Sequence, residues 1–429
     1  MADLKIAIAG LGTVGGGTLK LLHDQAALLA ERCGRKMVVT GISARDKSRY
    51  RGVDTEKLRW FDDAVAMARE ADADAIVELI GGSDGIAKAV CEAAIARGRH
   101  VVTANKALLA HHGTALARAA EAKGVNLSFE PAVAGGIPII KAFREGLAAN
   151  RIKRVYGILN GTSNFILTQM RETGSAFDTV LAEAQAQGYA EADPSFDVDG
   201  IDVAHKLSLL TSLAFGTQVD FAGVYIDGIR RISPIDIKYA DELGYRIKLL
   251  GAAQETERGV EQRVSPCMVP KSVALAYVDG VFNAIMCESD FAGRSIFQGR
   301  GAGAGPTASA VVADLIDIAR GHKVPSFGMP AEKLRVGKPA AMDQHVGSYY
   351  VRLMVKDQPG VIADVSAALR DENVSMESML QRGRSETEAV PVVLTTHGTN
   401  EAAINRAVKR IAALGSVLEP PCVIRIESF

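Results

Sequence analysis

Residues 197–210, DVDGIDVAHKLSLL, combine acidic, basic and apolar side chains at helical spacing. Asp197, Asp199 and Asp202 come first, and Lys206 follows where the stretch becomes apolar. Asp202 and Lys206 are at i and i+4, so on a helix they share one face. They could be an exposed ion pair, which contributes little to stability. Because the helix continues as LSLLTSLAFG and must be largely buried, they could instead be a carboxylate and a partly buried amine that transfers a proton.

Other charged residues occupy positions where ligands bind. Lys106 ends the stretch HVVTANK, residues 100–106, which begins as a predicted strand. Ligands of open α/β sheets bind at the C-terminal ends of the strands, so Lys106 is a candidate site residue, although most lysines are simply exposed. Glu191 and Asp193 lie in the loop GYAEADPS, just upstream of the acidic stretch. Either carboxylate could hold an ammonium group or cap the next helix.

A glycine motif near the N-terminus predicts a dinucleotide site. Gly10, Gly12 and Gly15 have the spacing G-x-G-x-x-G, directly after a predicted strand and at the start of a predicted helix. The first glycine allows a tight turn, the second lets the backbone approach a pyrophosphate, and the third lets helix and strand pack closely. The alternative is a glycine-rich turn without a ligand.

The end of the second predicted strand bears on the choice of cofactor. Arg45 follows that strand and could bind a 2′-phosphate with its planar group of donors. If the strand ends one residue later, Asp46 becomes the acid that binds the ribose hydroxyl of NAD. The basic residues further on could also form a solvated loop; they are Lys47, Arg49 and Arg51. The sequence favours NADP(H), with NAD(H) possible.

A second glycine-rich loop, GRGAGAGPT at residues 299–307, also precedes a predicted helix. Gly303 or Gly305 could approach the cofactor from the far side, or the loop could be only a flexible helix entry. Pro306 suits the first turn of the helix, which could return to pack on the first domain.

The order of predicted elements indicates an α/β protein with several domains. Strands and helices alternate over residues 1–130, which predicts a Rossmann-type parallel sheet that binds NAD(P). Residues 131–305 mix helices with short strands and are interpreted as an α+β domain. Residues 306–347 contain the returning helix and a linker.

The last segment, residues 348–429, starts a new pattern in the order βαββαβ. This is a ferredoxin-like arrangement. Its third strand contains Pro391, which cannot donate a ladder hydrogen bond and is therefore expected on a sheet edge or at a bulge.

Composition excludes several classes of protein. The 429 residues carry 49 basic and 50 acidic side chains, a net charge of -1, which gives no electrostatic reason to bind nucleic acid or an anionic membrane. No apolar run approaches the roughly 20 residues of a membrane helix. The first residues enter a strand pattern without a signal-peptide cleavage region, and the five cysteines are widely spaced. We expect a cytoplasmic protein with reduced thiols.

Together with the residues described above, several longer stretches make the chain resemble the homoserine dehydrogenase family over essentially its whole length. The tail, with KDQPGVIADVSAAL, is similar to an ACT domain, a small amino-acid-sensing module. The stretches that carry the family resemblance are GLGTVGGG, TANK, ILNGTSNFIL and, most specifically, GYAEADPSFDVDGIDVAHKL.

The resemblance implies reversible NAD(P)H-dependent reduction of L-aspartate 4-semialdehyde to L-homoserine, in threonine, methionine and isoleucine biosynthesis. It implies that Lys206 donates the proton, that Lys106 lies beside the reacting oxygen, and that Asp202 orients the substrate. The substrate-binding residues that it implies are Glu191, Gly188 and Asp202. The cofactor contacts that it implies, besides the glycine motif, are Thr13, Val14, Arg45, Lys106 and Gly303.

The resemblance further implies a monovalent cation, usually sodium, bound mostly by backbone oxygens. The matching positions are Glu130, Val133, Gly135 and Ile137. It also implies that residues 131–305 bind the substrate, carry the catalysis and form the dimerisation domain. The protein is then expected to be a homo-oligomer, a dimer or tetramer, regulated by threonine at the ACT domain.

Two other functions remain open on the sequence. One is a different NAD(P)-dependent oxidoreductase that acts on another amino or hydroxy acid, since a fold alone does not fix the substrate. The other is a non-catalytic amino-acid sensor, against which Lys106, Asp202 and Lys206 together argue.

Overall fold

A computed structural model of the chain describes residues 2–47, 55–383 and 388–429. Arg49 and Arg51 of the predicted basic loop lie outside the described residues. So does most of GRSETE, residues 383–388, a stretch that predicts a turn between two strands. Within the described part, two sheets organise the molecule, one of six and one of eleven strands.

The first sheet is parallel throughout and has the strand order β3-β2-β1-β4-β5-β6. This is the strand order of a Rossmann fold, so the predicted fold class is confirmed for this part of the chain. Its strands are β1 (Leu4–Ala9), β2 (Met37–Ser43), β3 (Arg59–Trp60), β4 (Ala75–Glu78), β5 (His100–Thr103) and β6 (Leu127–Ser128). Its helices are α1 (Thr13–Asp24), α2 (Ala26–Cys33), α3 (Ala64–Glu70), α4 (Ile86–Ala96) and α5 (Lys106–Ala122).

Side chains of β1 alternate between the two faces of this sheet, as the twofold period of a strand requires. Leu4, Ile6 and Ile8 pack with α1 and α2, whereas Ala7 and Ala9 pack on the side of α3, α4 and α5. Both faces are therefore covered, and this accounts for the nearly continuous apolar sequence of the strand.

The second sheet has the path β12-β11-β7-β9-β10-β17-β13-β15-β14, with β8 and β16 attached beside it. Its strands are β7 (Ile152–Ile158), β8 (Tyr225–Ile226), β9 (Tyr245–Thr256), β10 (Gly259–Pro270), β11 (Phe282–Ser289), β12 (Arg294–Arg300), β13 (Val346–Val355), β14 (Met376–Gln381), β15 (Val390–Thr396), β16 (Thr399–Asn400) and β17 (Cys422–Ile426). The remaining helices are α6 (Ile139–Lys141), α7 (Gly161–Thr173), α8 (Phe177–Ala186), α9 (Ser195–Val198), α10 (Ile201–Phe215), α11 (Pro234–Glu242), α12 (Ala304–Ala319), α13 (Val361–Asp371) and α14 (Glu401–Ala412).

The centre of this sheet differs from the short strands expected from the sequence. β9 and β10 form a long antiparallel hairpin in unbroken register from Thr256–Gly259 to Tyr245–Pro270. The pattern of VALAYVDG, residues 273–280, predicts one of these short strands, but these residues contain a 3-10 helix at Ala274–Tyr277. Leu275 and Ala276 of that turn are buried against the sheet, so their apolar character reflects packing and not strand pairing.

The C-terminal segment forms the predicted ferredoxin-like unit, with strand order β17-β13-β15-β14. Pro391 lies in β15, which is an inner strand, so its expected place on an edge or at a bulge is wrong. The pairing of β14 with β15 ends at Gln381, which lies opposite Val392. Pro391, the next residue along β15, therefore pairs only with Met354 of β13 on its other side. The end of an inner strand therefore also tolerates proline.

The two parts of the second sheet are joined by pairing and by buried charges. β17 pairs in parallel with β10 through Cys267–Arg425 and Met268–Ile426. Arg352 of β13 donates to the buried Asp236 of α11 at 2.7 Å. The C-terminal unit is therefore packed against the rest of the second sheet and is not a loosely tethered module.

α12 returns to the first sheet and packs against α1, where Val311, Leu315 and Ile318 join the core beneath β1. The segment that follows is predicted as a linker. It runs along the unit that contains the second sheet, where single β-bridges join Arg335 to Thr217 and Pro339 to Val260. The domain boundaries drawn from the sequence stay predictions. No helix among the described residues combines the length and apolar character that crossing a membrane requires.

Candidate active site

Asp202 and Lys206 form a buried ion pair in α10. The Lys206 ammonium lies 2.6 Å from Asp202 Oδ2 and donates to the Leu159 carbonyl at 2.7 Å. The Lys206 side chain is 10% exposed and the Asp202 side chain is 4% exposed. α10 packs on β7 and β9, and Gly251 of β9 leaves space for this close approach. Of the two interpretations of this spacing, the exposed ion pair is wrong.

Lys106 approaches the same carboxylate from the other unit. It is the first residue of α5, at the C-terminal end of β5, and its ammonium lies 3.2 Å from Asp202 Oδ1. Asn105 caps this helix by accepting from the Leu108 amide. The sequence pattern predicts a helix only over about 112–123, so α5 begins earlier than its periodicity indicates. Lys106 is 35% exposed at the side chain and can therefore contact a ligand between the two units.

The charges of this cluster shift both pKa values. Burial raises the pKa of Asp202, but Lys206 and Lys106, with a hydrogen bond from Asn160, hold that pKa well below its usual range. Burial lowers the pKa of the Lys206 ammonium, and Lys106 lowers it further, while Asp202 opposes both. Lys206 is thus an amine that releases its proton more readily than a solvated lysine.

Sequence reasoning missed Asn160, which lies between β7 and α7. Its amide nitrogen donates to Asp202 Oδ2 at 2.9 Å and to Asp197 Oδ1 at 2.8 Å. Its oxygen accepts from the Ser163 amide at 2.8 Å and so caps α7. An asparagine between an apolar strand and a helical pattern is a cap signal that could have been found. Its contact with the acids could not, because they lie 37 and 42 residues away.

The upstream loop contains the other predicted substrate residues. Gly188 and Glu191 are exposed, and Gly188 has a φ of +75°. The loop is attached to α7 because Thr162 donates to the Tyr189 carbonyl at 2.8 Å. Asp193 accepts from the Ser195 amide at 3.1 Å, which favours the capping role of that carboxylate. Within the described residues, no hydrogen bond or ion pair joins the Glu191 carboxylate to the lysines.

The glycine motif has the geometry of an anion cradle. Gly10 has a φ of +94°, and a Cβ there would lie 2.5 Å from the Leu79 carbonyl oxygen. A Cβ at Gly15 would lie 2.1 Å from the Gly10 oxygen. Gly12 is the N-cap of α1, before Thr13 and Val14, and in the described structure its missing Cβ faces open space. The first amides of α1 thus follow a backbone with open space beside Gly12, an arrangement that suits a phosphate.

The second glycine loop lies beside this cradle. A Cβ at Gly17 of α1 would lie 2.8 Å from the Ala304 carbonyl oxygen, so the start of α12 approaches α1 closely. Gly303 is the N-cap of α12 and has a φ of +114°, which strongly favours glycine. Gly305 lies within the first turn of the helix and has no such requirement. The structure therefore brings Gly303 next to the dinucleotide motif.

The cofactor-choice loop is exposed. β2 ends at Ser43, and Arg45 and Asp46 follow on the surface. Lys47 lies over the Trp60 ring at 5.8 Å. Because Arg45 and Asp46 both face solvent beyond the strand end, the geometry leaves both assignments open.

The four positions implied for a cation lie where the chain leaves the first sheet. The Glu130 carboxylate accepts from the amides of Ile140 and Lys141, both at 2.9 Å, and is therefore occupied. The Ile137 carbonyl accepts a hydrogen bond from the Ile139 amide at 2.8 Å. The carbonyls of Val133 and Gly135 accept no hydrogen bond within the described residues. No group of three or more His, Cys, Asp or Glu side chains in that part could hold a metal. The Val133 and Gly135 oxygens are therefore the ones that could bind a cation without losing a hydrogen bond within the described residues.

Comparison with protein families gives three matches along the chain. A homoserine dehydrogenase NAD-binding domain matches residues 10–130, a homoserine dehydrogenase domain matches residues 138–316, and an ACT domain matches residues 349–416. The ACT match falls on the ferredoxin-like unit. The NAD-binding match contains the glycine motif and Lys106, and the other match contains Asp202 and Lys206.

Individual proteins match over the full length. The chain is 47% identical to the homoserine dehydrogenase of Neisseria gonorrhoeae and 46% identical to that of Pseudomonas aeruginosa, with 100% of each chain covered. The crystal structure of a homoserine dehydrogenase from Thiobacillus denitrificans superposes with a TM-score of 0.92 at 44% identity, covering 99% of this chain and 98% of that one. A hyperthermophilic archaeal homoserine dehydrogenase in complex with NADPH has a TM-score of 0.65 at 25% identity, covering 76% and 100%.

The buried pair predicts a pH-dependent loss of stability. In Asp202→Asn the Lys206 ammonium loses its carboxylate, so its folded pKa falls further below 10.5. A basic group whose pKa is lower in the folded than in the unfolded protein destabilises the folded state at any pH below the unfolded pKa. This destabilisation becomes smaller as the pH rises towards the unfolded pKa. We expect urea unfolding to show a loss of about 3–5 kcal/mol near neutral pH, and a smaller loss at about pH 9.5.

The matched control is Asp199→Asn, which removes the carboxylate from the half-exposed pair with Arg230. That loss should be below about 1 kcal/mol and nearly independent of pH. An equal loss for Asp202→Asn at both pH values would mean that Lys206 carries no depressed pKa.

Proposed function

Because the chain belongs to the homoserine dehydrogenase family of NAD(P)-dependent oxidoreductases, we propose that it catalyses the reversible reduction of L-aspartate 4-semialdehyde to L-homoserine. We place the reaction in the cytoplasm, in the biosynthesis of threonine, methionine and isoleucine. The observation that carries the proposal is the convergence of Lys206, Lys106 and Asp202 where the two units meet.

Lys206 is proposed to exchange the proton of the reaction. A bound nicotinamide supplies a hydride to the aldehyde carbon, or accepts one in the reverse direction. As hydride arrives, Lys206 gives a proton to the oxygen that becomes the hydroxyl of homoserine. In the reverse direction the neutral amine takes that proton, and burial, which lowers the Lys206 pKa, helps to make the neutral amine available.

Lys106 and Asp202 are proposed to position the reacting oxygen. The Lys106 ammonium would stabilise the negative charge that develops on this oxygen, since it is partly exposed and faces the same carboxylate as Lys206. Asp202 holds both ammonium groups by its two oxygens. The exposed Glu191 and Gly188 would line the other end of the substrate, with Glu191 facing the α-ammonium group.

The cofactor is proposed to lie along Gly10, Gly12, Thr13, Val14 and Gly15, with Gly303 against its other side. The cradle at the start of α1 suits a pyrophosphate. NADP(H) is preferred in this proposal because Arg45 is exposed at the end of β2, and because the archaeal relative was solved with NADPH.

A sodium ion is proposed to stabilise the connection between the units. The backbone oxygens of Val133 and Gly135 would bind it first, because they accept no other hydrogen bond within the described residues. Glu130 and Ile137 would contribute through their backbone oxygens, since the Glu130 carboxylate caps α6.

The ACT unit is proposed to regulate a homo-oligomeric enzyme by binding L-threonine. The loop at 356–360 ends at Gly360, which has a φ of +95° and caps α13. The free amides and the dipole of a helix start favour a carboxylate there. Because Arg352 binds Asp236 of α11, a change in the ACT unit can reach the catalytic helices.

The first kinetic prediction concerns Lys206→Ala. We expect kcat for homoserine oxidation to fall by about 10² or more, the scale of general acid–base catalysis, while NADPH affinity hardly changes. Steady-state rates and a fluorescence titration measure the two quantities. The control is Lys20→Ala, which disrupts an exposed i,i+4 pair with Asp24 and should leave kcat unchanged. Near-normal turnover of Lys206→Ala would show that the buried pair is structural.

Cofactor choice is tested by Arg45→Glu. If Arg45 faces the 2′-phosphate, the KM for NADPH should rise by about 10-fold or more, whereas the KM for NADH should change little. Each cofactor is the control for the other in the same preparation. Equal effects would indicate a solvated loop or a ribose contact by Asp46.

Regulation is tested by threonine titration of the full chain and of Gly360→Ala. A Cβ at Gly360 has no neighbour within 4 Å in the described structure, but the φ of +95° disfavours alanine. We expect threonine to inhibit the wild type and to inhibit this variant at least about 10-fold more weakly. Gly398→Ala, at another open glycine of the same unit, should respond as the wild type does.

A point variant is sharper than truncation, because removing residues 346–429 would take β17 away from β10 and leave Asp236 without Arg352. Unchanged inhibition of Gly360→Ala would place the effector site elsewhere. Absence of inhibition in the wild type would leave the ACT unit as an oligomerisation element.

A further inference from the structure

We propose that Asn160 is a positioning residue that holds Asp202 and Asp197 for proton transfer through Lys206, an inference that rests on the proposed function. Asn160 is 6% exposed and lies at the turn from β7 to α7. Its amide nitrogen bridges the two carboxylates, one from α9 and one from α10, at 2.8 and 2.9 Å. One uncharged side chain thus fixes the relative position of two acidic groups.

The orientation of the Asn160 amide follows from its other contact. Its oxygen accepts from the Ser163 backbone amide at 2.8 Å, and a backbone amide can only donate. The nitrogen of the side chain must therefore face the carboxylates. The preceding residue, Leu159, offers its carbonyl to Lys206 at 2.7 Å. The same turn therefore holds the acid and the amine of the proton-transfer pair.

Asn160 also determines how strongly Asp202 holds the lysine. Asp202 Oδ2 accepts from Lys206 at 2.6 Å and from Asn160 at 2.9 Å, so the two donors share one oxygen. The hydrogen bond from Asn160 disperses the negative charge of that oxygen and weakens its attraction for the ammonium. The other groups that act on Lys206 are Lys106 on α5 and Asp197 on α9. His205, the neighbouring titratable residue on α10, has its pKa lowered to about 4, chiefly by burial.

Removal of the amide donor should therefore raise the pKa of Lys206. In homoserine oxidation Lys206 acts as the neutral base, so its protonation limits the rate on the acid side of the pH profile. A higher pKa moves this limb to higher pH. Loss of the bridge also lets the pair move relative to the substrate, which lowers kcat.

Two variants separate the bridge from the helix cap. Asn160→Ser and Asn160→Asp both keep a side-chain oxygen that can cap α7, but neither offers an amide donor. We expect kcat for homoserine oxidation to fall by about 10- to 100-fold in both. The acid limb of kcat/KM should move to higher pH, further for Asn160→Asp because it adds a negative charge. NADPH affinity should stay unchanged.

The matched control is Asn400→Ser. Asn400 caps α14 in the ACT unit by accepting from the Ala402 amide at 2.9 Å, in the same way that Asn160 caps α7. This variant should keep the wild-type kcat and pH profile. It therefore reports the cost of changing an asparagine cap without changing the proton-transfer pair.

The outcomes distinguish this inference from the proposed function. Reduced kcat with a shifted acid limb supports the bridge. If the wild type oxidises homoserine and Asn160→Ser keeps its kcat and pH profile, the inference is overturned and the proposed function stands. A reduced kcat without any shift of the limb also overturns it, because a merely structural role predicts that result. If Asn160→Asp does not fold, Asn160→Ser decides. A wild type that does not oxidise homoserine overturns both.

Discussion

The burial of the Lys206 ammonium is the constraint on which the site depends. A buried charge is costly unless it is paired and hydrogen-bonded, so Lys206 requires Asp202 and the Leu159 carbonyl. Asp202 in turn requires Asn160 and Lys106. These partners come from α10, from the turn between β7 and α7, and from α5. Three separate parts of the chain must therefore pack together before this group of charges is complete.

This requirement links the site to the relation between the two units. Lys106 belongs to the first unit and the Asp202–Lys206 pair to the second, so these charges meet only if the units keep a fixed relation. Close backbone contacts at glycines support that relation. A Cβ at Gly17 would lie 2.8 Å from the Ala304 oxygen, and one at Gly135 would lie 2.4 Å from the Gly301 oxygen. The nucleotide cradle and the lysine cluster are thus held by the same packing.

The ACT unit extends this packing to the end of the chain. Parallel pairing of β17 with β10 uses one edge of the ferredoxin-like sheet inside the molecule, while β14 ends the sheet on the other side. Asp236 at the start of α11 accepts from Arg352 and from Tyr350 of the ACT unit. α11 packs on α7, which begins at the turn that contains Asn160. A physical connection therefore exists between the ACT unit and the proton-transfer pair.

The sequence by itself determined the features that depend on neighbouring residues: the glycine motif before α1, the i,i+4 spacing of Asp202 and Lys206, and the βαββαβ order of the tail. It left open whether that pair is exposed or buried, and it missed Asn160 and the long hairpin of β9 and β10. Those features were decided by contacts between distant segments. Burial of Lys206 depends on the sheet beneath α10, and the role of Asn160 depends on carboxylates 37 and 42 residues away. Local patterns determine which face of a helix carries a charge, whereas only tertiary packing decides what that face meets.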